Sequence, residues 1–600
     1  MRGTEMKILL SAIPFDNGKS GISVYIREVV RALEEQGHTL TLIVEDDGAK
    51  EFERFELIRI KKRRALFSML YSLFILPWRI KRKKYDFCIM LAANRRVFCR
   101  YPIFTIAVVH DLSQYHVPVK YDKFRMFYIK KILPHYVRKA QSVVAISQST
   151  RNDLINFWHI PEEKITVVYN GFTPPEKVET AKEKQILYIS RIEHPGKNHL
   201  NLLKAFELLP ENLRKEYSLV MPGAAWNGAD AVFEYAKNSP CSDRFKFTGF
   251  VDFAKIPELY AQSSLYIFPS HFEGFGLSLL EAMHAGVPCA CSNNSSLGEL
   301  GSGAAELFDP SSPQEIADAI QKILENDAYQ KQLVQKGREK SALFSWQNTA
   351  RGLTDIYLNR TARVFGVPFF CGTMDEALEK IDRAVESKQH HHIAFINAHC
   401  LNIAYKNSAY KQVLNSCPEV FADGIGAKIG AMMLGYAVEE NVNGTDMFPL
   451  LARKPYRIYL LGGAPGVAAA ALEKAKLLNG KAEFIGCADG FFKEKSEAEL
   501  FAGLKELRPD ISFVAMGVPK QEMWINEHLQ DLPACVAIGV GGLLDFVSER
   551  IPRAPLWMRK CNIEWCYRLY NEPFRLFKRY IIGNPLFILR VFLSKLRRKK

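Results

Sequence analysis

The sequence predicts an α/β protein made of three parallel-sheet units in series, and three observations carry that expectation. Short apolar runs alternate with helical patterns from end to end, as they do where parallel strands are joined by crossover helices. At 600 residues the chain exceeds what one core can serve, since cores stop growing near ~250–300 residues. Its composition, 48% hydrophobic and 24% charged, is that of a globular chain and not of a disordered one.

The first strand series is expected at residues 7–13, 39–45, 87–93, 103–110, 142–147 and 165–169. A second follows at 185–190, 217–221, 245–248, 265–269 and 287–292, and a third at 392–397, 419–422, 457–461, 482–486, 511–516 and 535–540. The Pro- and Glu-rich stretch 173–184 reads as a linker between the first two series. Residues 344–359 have helical periodicity, with Trp346, Leu353, Ile356 and Tyr357, and precede the start of the third unit near 361–368.

The net charge of +15 is concentrated. Residues 61–84 hold nine Lys or Arg and no acid, and residues 560–600 hold eleven against Glu564 and Glu572. These two segments together exceed the charge of the whole chain, so the remainder is slightly acidic. Two local patches argue against nucleic acid as a partner, because a nucleic-acid face spreads its charge. Both are interleaved with aromatic and aliphatic residues. The run 65–78 is apolar apart from Ser68 and Ser72, is too short to span a bilayer and contains Pro77. It reads as a basic-flanked amphipathic segment at an anionic membrane surface, and residues 580–600 read the same way; the alternative is a solvated basic face over core helices. Twelve scattered cysteines without zinc-type pairing, and an N-terminus without a cleavable signal pattern, imply a reduced, cytoplasmic setting.

In the first module, the loop at 14–23 carries Gly18 and Gly21 ahead of a helix, which suits close approach of a polar ligand or simply a tight turn. The segment 270–281, Ser-His-Phe-Glu-Gly-Phe-Gly-Leu-Ser-Leu-Leu-Glu, follows a strand and is more telling. Gly274 and Gly276 allow backbone to approach a diphosphate, while Glu273 and Glu281 can bind sugar and ribose hydroxyls. Arg191 and Lys197, after another strand end, are spaced to grip a leaving diphosphate. With the His110-Asp111-Leu112 turn, Ser147 and Asn170-Gly171, these motifs resemble family 4 glycosyltransferases over residues 6–360. That resemblance implies a retaining, metal-independent enzyme of two-domain GT-B fold. In it Arg191 and Lys197 hold the donor diphosphate, Glu273 contacts the donor sugar, Glu281 the nucleoside, and His110 lies near the transferred sugar. A buried, internally satisfied histidine is the alternative for His110.

The second module has four glycine-rich strand ends: 421–426, 461–466 with Gly462 and Gly463, 516–522 with Gln521 and Glu522, and 539–542. All belong on one sheet edge, where backbone amides suit a nucleotide diphosphate. Asp423, at a strand end, is the candidate general base; the alternative is an Asx turn or helix cap before Gly424. Together with Gly366-Val-Pro368, Asn397-Ala-His399, Gly444-Thr-Asp446, Asp545, Arg553-Ala-Pro555 and the run 564–573, these motifs resemble the WecG/TagA/CpsF group, glycosyltransferase family 26, over residues 362–585. The resemblance implies an inverting, metal-independent transferase acting on polyprenyl-diphosphate-linked acceptors. Asp423 would be its base, Gln521 part of the nucleotide site, and a basic membrane-contacting appendage would bring arginines over the site, as Arg568, Arg575 and Arg579 would here. Phe395 stands where that family often has Thr, which removes one hydroxyl contact.

The expected architecture is therefore two Rossmann-like domains of GT-B type (1–175 and 176–360), a third Rossmann-like α/β domain (361–556) and a basic helical C-terminal appendage (557–600). The donor-binding set comprises Gly21, Gly274, Gly276, Glu281, Asn397, Gly462, Gly463, Gln521 and Glu522. UDP- or GDP-sugars are the expected donors, with no cofactor or metal and a polyprenyl-diphosphate-linked glycan as acceptor. The expected location is the inner face of the cell membrane. The competing readings are one active module beside a substrate-positioning one, or a sugar- or lipid-binding scaffold.

Overall fold

A computed structural model describes residues 5–597, apart from 19, 62–64, 82–83, 117–122, 177, 179, 491–493, 534 and 562. Of the basic clusters, Lys62–Arg64, Arg82, Lys83 and Arg598–Lys600 lie outside the described residues, as do Lys177 and Glu179 of the linker. The chain divides into two compact units, Met1–Tyr357 and Leu358–Lys600.

The first unit holds two parallel sheets. One contains β1 (Lys7–Ser11), β2 (Thr39–Glu45), β3 (Glu56–Ile60), β4 (Phe87–Met90), β5 (Phe104–Val109), β6 (Ser142–Ala145) and β7 (Ile165–Val167), in the order β3-β2-β1-β4-β5-β6-β7. The other contains β8 (Gln185–Leu187), β9 (Ser218–Pro222), β10 (Phe245–Gly249), β11 (Leu265–Phe268), β12 (Cys289–Ser292) and β13 (Glu306–Phe308), in the order β10-β9-β8-β11-β12-β13. In each sheet the strand order reverses beside its first strand, opening a crevice at the carboxyl ends. Both faces of the sheets are covered, so strands such as β4 and β11 are buried at every residue. The helix Gly21–Glu35 shows why the covering elements form: Ile22, Ile26, Val29 and Leu33 repeat on one buried stripe, and Ser20 caps its first turn through Ser23 N.

Two features depart from expectation. The helix Trp346–Leu358 belongs with the first sheet, because Tyr357 stacks on Phe87 at 4.5 Å and Thr349 Oγ1 donates to Tyr169 O. Residues 346–357 therefore cannot be assigned to the second domain alone. In the helical run from Ala65 to Arg79, the two serines point inward and the large apolar side chains outward. Ser68 donates to Glu45, Ser72 to Ser68 O, and Phe67, Phe74, Ile75 and Trp78 are exposed.

The second unit opens with the hairpin β14 (Thr361–Val364) and β15 (Val367–Phe370), turned by Phe365 and Gly366, both at positive φ. Its parallel sheet is built from β16 (His391–Ile396), β17 (Glu419–Ala422), β18 (Arg457–Gly462), β19 (Glu483–Ala488), β20 (Ile511–Ala515) and β21 (Val536–Gly539). The order is β17-β16-β21-β20-β18-β19, so all the glycine-rich ends fall on one edge. The final helix, Gly583–Arg597, is anchored by Phe587 and Val591, which enter the core beside the helix Ile425–Met433. Asn402 Nδ2 donates to Gly583 O and Arg590 Nη1 to Asn402 Oδ1. Its other face leaves Leu589, Phe592, Leu593 and Leu596 exposed. Among the described residues, no helix of either unit is long and apolar enough to cross a membrane.

Candidate active sites

In the first unit, loop 269–276 leaves β11 and is fastened by the helix Ser295–Gly301. Ser296 Oγ donates to Glu273 O at 2.9 Å, and Glu273 N donates to Ser295 Oγ at 3.2 Å. The loop lies directly on the His110–Asp111 turn of the other sheet: a Cβ on Gly274 would stand 2.7 Å from His110 O. Gly276 has φ +125°, a region that disfavours any side chain. Lys197 comes from the turn after β8. Asn198, left-handed at φ 60°, anchors that turn through Nδ2 to Pro269 O and Pro310 O. Lys197 Nζ meets Glu273 Oε1 at 2.5 Å, both side chains being mostly buried.

Arg191 does not share that carboxylate. Its guanidinium pairs with Glu193 at 3.1 Å, lies over Trp226 and is half exposed. The expected Arg191/Lys197 clamp is therefore split, with the lysine on Glu273 and the arginine at the rim. Glu281 accepts from Tyr260 Oη at 2.9 Å, and burial holds its carboxyl above the ordinary range against that hydrogen bond. His110 is buried and donates from Nε2 to Leu91 O at 2.7 Å, since a carbonyl can only accept. Burial lowers its pKa to about 4, so the ring is neutral at pH 7. Gly21 begins its helix in open space; nothing there demands glycine, and the loop is a capped turn held by Asp16, Ser20 and Ser23. Glu299, which the sequence did not single out, links the two sheets' elements. It accepts Gln148 N at the start of the helix Gln148–Asn156 and the Tyr169 hydroxyl.

In the second unit, Asp423 follows β17, and its amide donates to Ile396 O at 2.7 Å. Its carboxylate caps nothing: the helix Ile425–Met433 begins at Gly424, whose N–H is taken by Asn441. Burial pushes the Asp423 carboxyl above the usual range. Arg568 and Arg579 pull it back, while Glu564 and Asp446 push with burial. Arg568 lies over Phe546 at 5.0 Å, and among the described residues the buried Nε atoms of Arg568 and Arg579 have no hydrogen-bond partner. Arg575 is separate, exposed and paired with Glu572. Only two of the three expected arginines therefore face Asp423.

Asn397 caps the helix Ala398–Lys406 by accepting His399 N and Cys400 N. Gln521 is buried; its Oε1 accepts Gly517 N and Gly541 N, and its Nε2 donates to Glu522 Oε1 at 2.7 Å. It thus ties the ends of β20 and β21 together. Glu522 has no exposed surface, and burial raises its pKa to about 7. Gly462, at φ +121°, and Gly463 form the tight end of β18, where a Cβ on Gly462 would collide with Ala515 O. Asp446 and Arg553, whose motifs were read but given no role, form an ion pair at 2.8 Å near Asp423, with Arg553 3.7 Å from Glu564. Among the described residues, no cluster of three His, Cys, Asp or Glu side chains could hold a metal ion.

Comparison with known proteins assigns both units. Residues 362–600 match the glycosyl transferase WecG/TagA/CpsF family, residues 172–340 the glycosyl transferases group 1, and residues 19–174 glycosyltransferase family 4. The N-acetylglucosaminyldiphosphoundecaprenol N-acetyl-beta-D-mannosaminyltransferase of Bacillus spizizenii is 32% identical over 176 residues, 29% of this chain and 68% of that protein. The O-antigen chain mannosyltransferase B of Escherichia coli is 29% identical over 265 residues, 42% of this chain and 69% of that protein. A solved glycosyltransferase from Rickettsia africae superimposes with a TM-score of 0.46 at 19% identity, covering 59% of this chain and 98% of that one. With the strand orders and the two glycine-lined sheet edges in hand, the chain belongs to the WecG/TagA/CpsF glycosyltransferase family through its second unit, while its first unit matches glycosyltransferase family 4 and the glycosyl transferases group 1.

Proposed function

We propose that both units are active and that the chain performs two sugar transfers from nucleotide-sugar donors to a polyprenyl-diphosphate-linked acceptor in cell-surface polysaccharide synthesis. The observation that carries this reading is that each unit has its own charged cluster at the carboxyl edge of its own parallel sheet. In the first unit, Lys197 and Arg191 hold the departing diphosphate of a UDP- or GDP-hexose, Glu273 orients the sugar, and transfer proceeds with retention. Neutral His110 contributes hydrogen bonding and no charge. In the second unit, Asp423 takes the acceptor hydroxyl proton as that oxygen attacks the anomeric carbon from the face opposite the nucleotide, inverting it. Arg568, Arg579 and the strand-end amides of 462–463 and 541–542 receive the charge that develops on the leaving diphosphate. The names of the relatives make a mannosyl donor the first to try on the first unit and an N-acetylmannosaminyl donor on the second.

Each unit also has a lipid-facing surface of its own in this reading. Phe74, Ile75 and Trp78 in the first and Leu589, Phe592 and Leu593 in the second are exposed beside basic residues, which suits peripheral attachment to the inner leaflet. The second reading, in which one unit only positions substrate, is separated by one experiment. Nucleotide release is measured with each donor and a lipid-diphosphate acceptor for wild type, Glu273→Ala and Asp423→Asn. Each substitution is expected to abolish a different transfer; loss of the same product in both variants, or of none, rejects two independent sites.

A further inference from the structure

The turn 94–96 follows β4 at the carboxyl edge of the first sheet, and none of its residues has a role in the chemistry above. Arg95 and Arg96 N–H groups both donate to Ala92 O, which folds the turn tightly. The turn begins beside the cleft, because His110 Nε2 donates to Leu91 O. It ends against the exposed apolar helical run: Cys99 N donates to Leu73 O, and the Arg100 guanidinium lies 4.3 Å from the Trp78 ring. Ten residues of chain thus run from the sugar-transfer cleft to an exposed apolar surface.

Arg96 Nη1 donates to Arg95 O at 3.0 Å, but other polar atoms at this turn are left unsatisfied. Asn94 Oδ1, Arg96 Nε and the Tyr128 hydroxyl are buried and have no hydrogen-bond partner among the described residues. Arg96 lies within electrostatic reach of Tyr128, Arg95 and Arg125, and Glu45 is the acid that faces the cluster. Burial and the neighbouring guanidinium groups work against the charge of Arg96 in the free protein. Clustered, partly desolvated cations with open N–H groups are stabilised by a multivalent anion, and guanidinium groups suit phosphate oxygens in particular.

We propose that the turn 94–96, with Tyr128, binds the diphosphate of the lipid-linked acceptor used by the first unit. The inference rests on the transferase reading of that unit and adds the acceptor's anionic group to it. The order of features matches the order of groups in such an acceptor: sugar beside His110, diphosphate at Arg95 and Arg96, prenyl chain toward Phe74 and Trp78.

The test uses the full chain carrying Asp423→Asn, so that transfer by the first unit is read alone. Two acceptors are compared, a short-chain, water-soluble prenyl diphosphate bearing the acceptor sugar and the same sugar as a neutral alkyl glycoside. Arg95→Ala and Arg96→Ala are each expected to raise KM for the diphosphate acceptor ~10-fold or more, the loss of a charge-assisted contact. KM for the donor and kcat/KM for the neutral glycoside should stay within about twofold, and Arg96→Lys should recover part of the loss. Equal loss with both acceptors, or an unchanged KM for the diphosphate, overturns the proposal. So does a loss of binding to anionic phospholipid vesicles with no change toward the soluble acceptor, which would make the turn a headgroup site. If Arg96→Ala lowers the melting temperature, the partly exposed Arg95→Ala carries the comparison. If Glu273→Ala leaves nucleotide release unchanged, the transferase reading fails first; binding of the soluble prenyl diphosphate, followed by tryptophan fluorescence, still decides the site.

Discussion

In the proposed function the two candidate donor clusters meet the same ligand chemistry from opposite starting states. In the first unit the key cation is already neutralised, because Lys197 sits on Glu273 and Arg191 on Glu193. In the second, the buried Nε atoms of Arg568 and Arg579 have no partner among the described residues, while burial holds Asp423 above its usual pKa. On that reading a donor entering the first site exchanges one ion pair for another, whereas a donor entering the second meets arginines with unused N–H groups among the described residues. The difference teaches that electrostatic readiness and electrostatic neutrality are separate designs. Unpartnered buried N–H groups cost folding stability, so the second site is the less stable of the two designs.

Substitutions can break or sharpen that contrast. The largest effect is expected at Asp423→Asn, which should cost ~10²–10⁴ in kcat for the second transfer, as loss of a general base does, and leave the first untouched. Single-turnover rates with each donor measure it. Next comes Arg579→Ala, expected to weaken nucleotide-sugar binding in the second unit ~10-fold or more. Because that arginine favours the ionised Asp423, its removal should also raise the Asp423 pKa and move the acid limb of the kcat/KM profile to higher pH; an unmoved limb would separate Arg579 from the base. Glu522→Gln tests the buried support. With a folded pKa of about 7, Glu522 binds more protons folded than unfolded, so stability falls as pH rises from its unfolded value to 7 and then levels. The variant should lose that decline and gain up to ~3 kcal/mol at pH 8 relative to pH 4.5, measured by denaturant unfolding of the second unit. The smallest effect should come from Arg191→Ala, a half-exposed rim residue worth about a fewfold in donor KM. A loss as large as that of Lys197→Ala would restore a symmetric clamp.

Much of this was legible in the sequence. The buried central strands were found because their apolar runs are continuous, and the strand-end positions of Asp423, Lys197 and Glu273 because glycines flag strand ends. Strand β3 was missed: it is an edge strand with one buried residue, Ile60, and Arg54, Glu56 and Arg59 make it look like a loop. The hairpin β14–β15 was missed because its turn uses Phe365 at positive φ, which no local rule anticipates. Ser68 and Ser72 misled in the other direction, as polar residues that turn out to face the core. Glu299, and the pairing of Asp446 with Arg553, were invisible for a common reason. Their roles depend on partners more than 100 residues away, and neither side of such a pair carries a local signature.

The first unit's chain passes between its two sheets twice, and the passages lie side by side: Gly171 packs so closely on Ser345 and Trp346 that a side chain there would collide with backbone. Two stretches of chain far apart in sequence are thus locked backbone to backbone at one point, and only a residue without a side chain fits between them. A bulky residue at 171 should force that junction apart and lower the melting temperature of the first unit, although it touches none of the charged groups at the cleft.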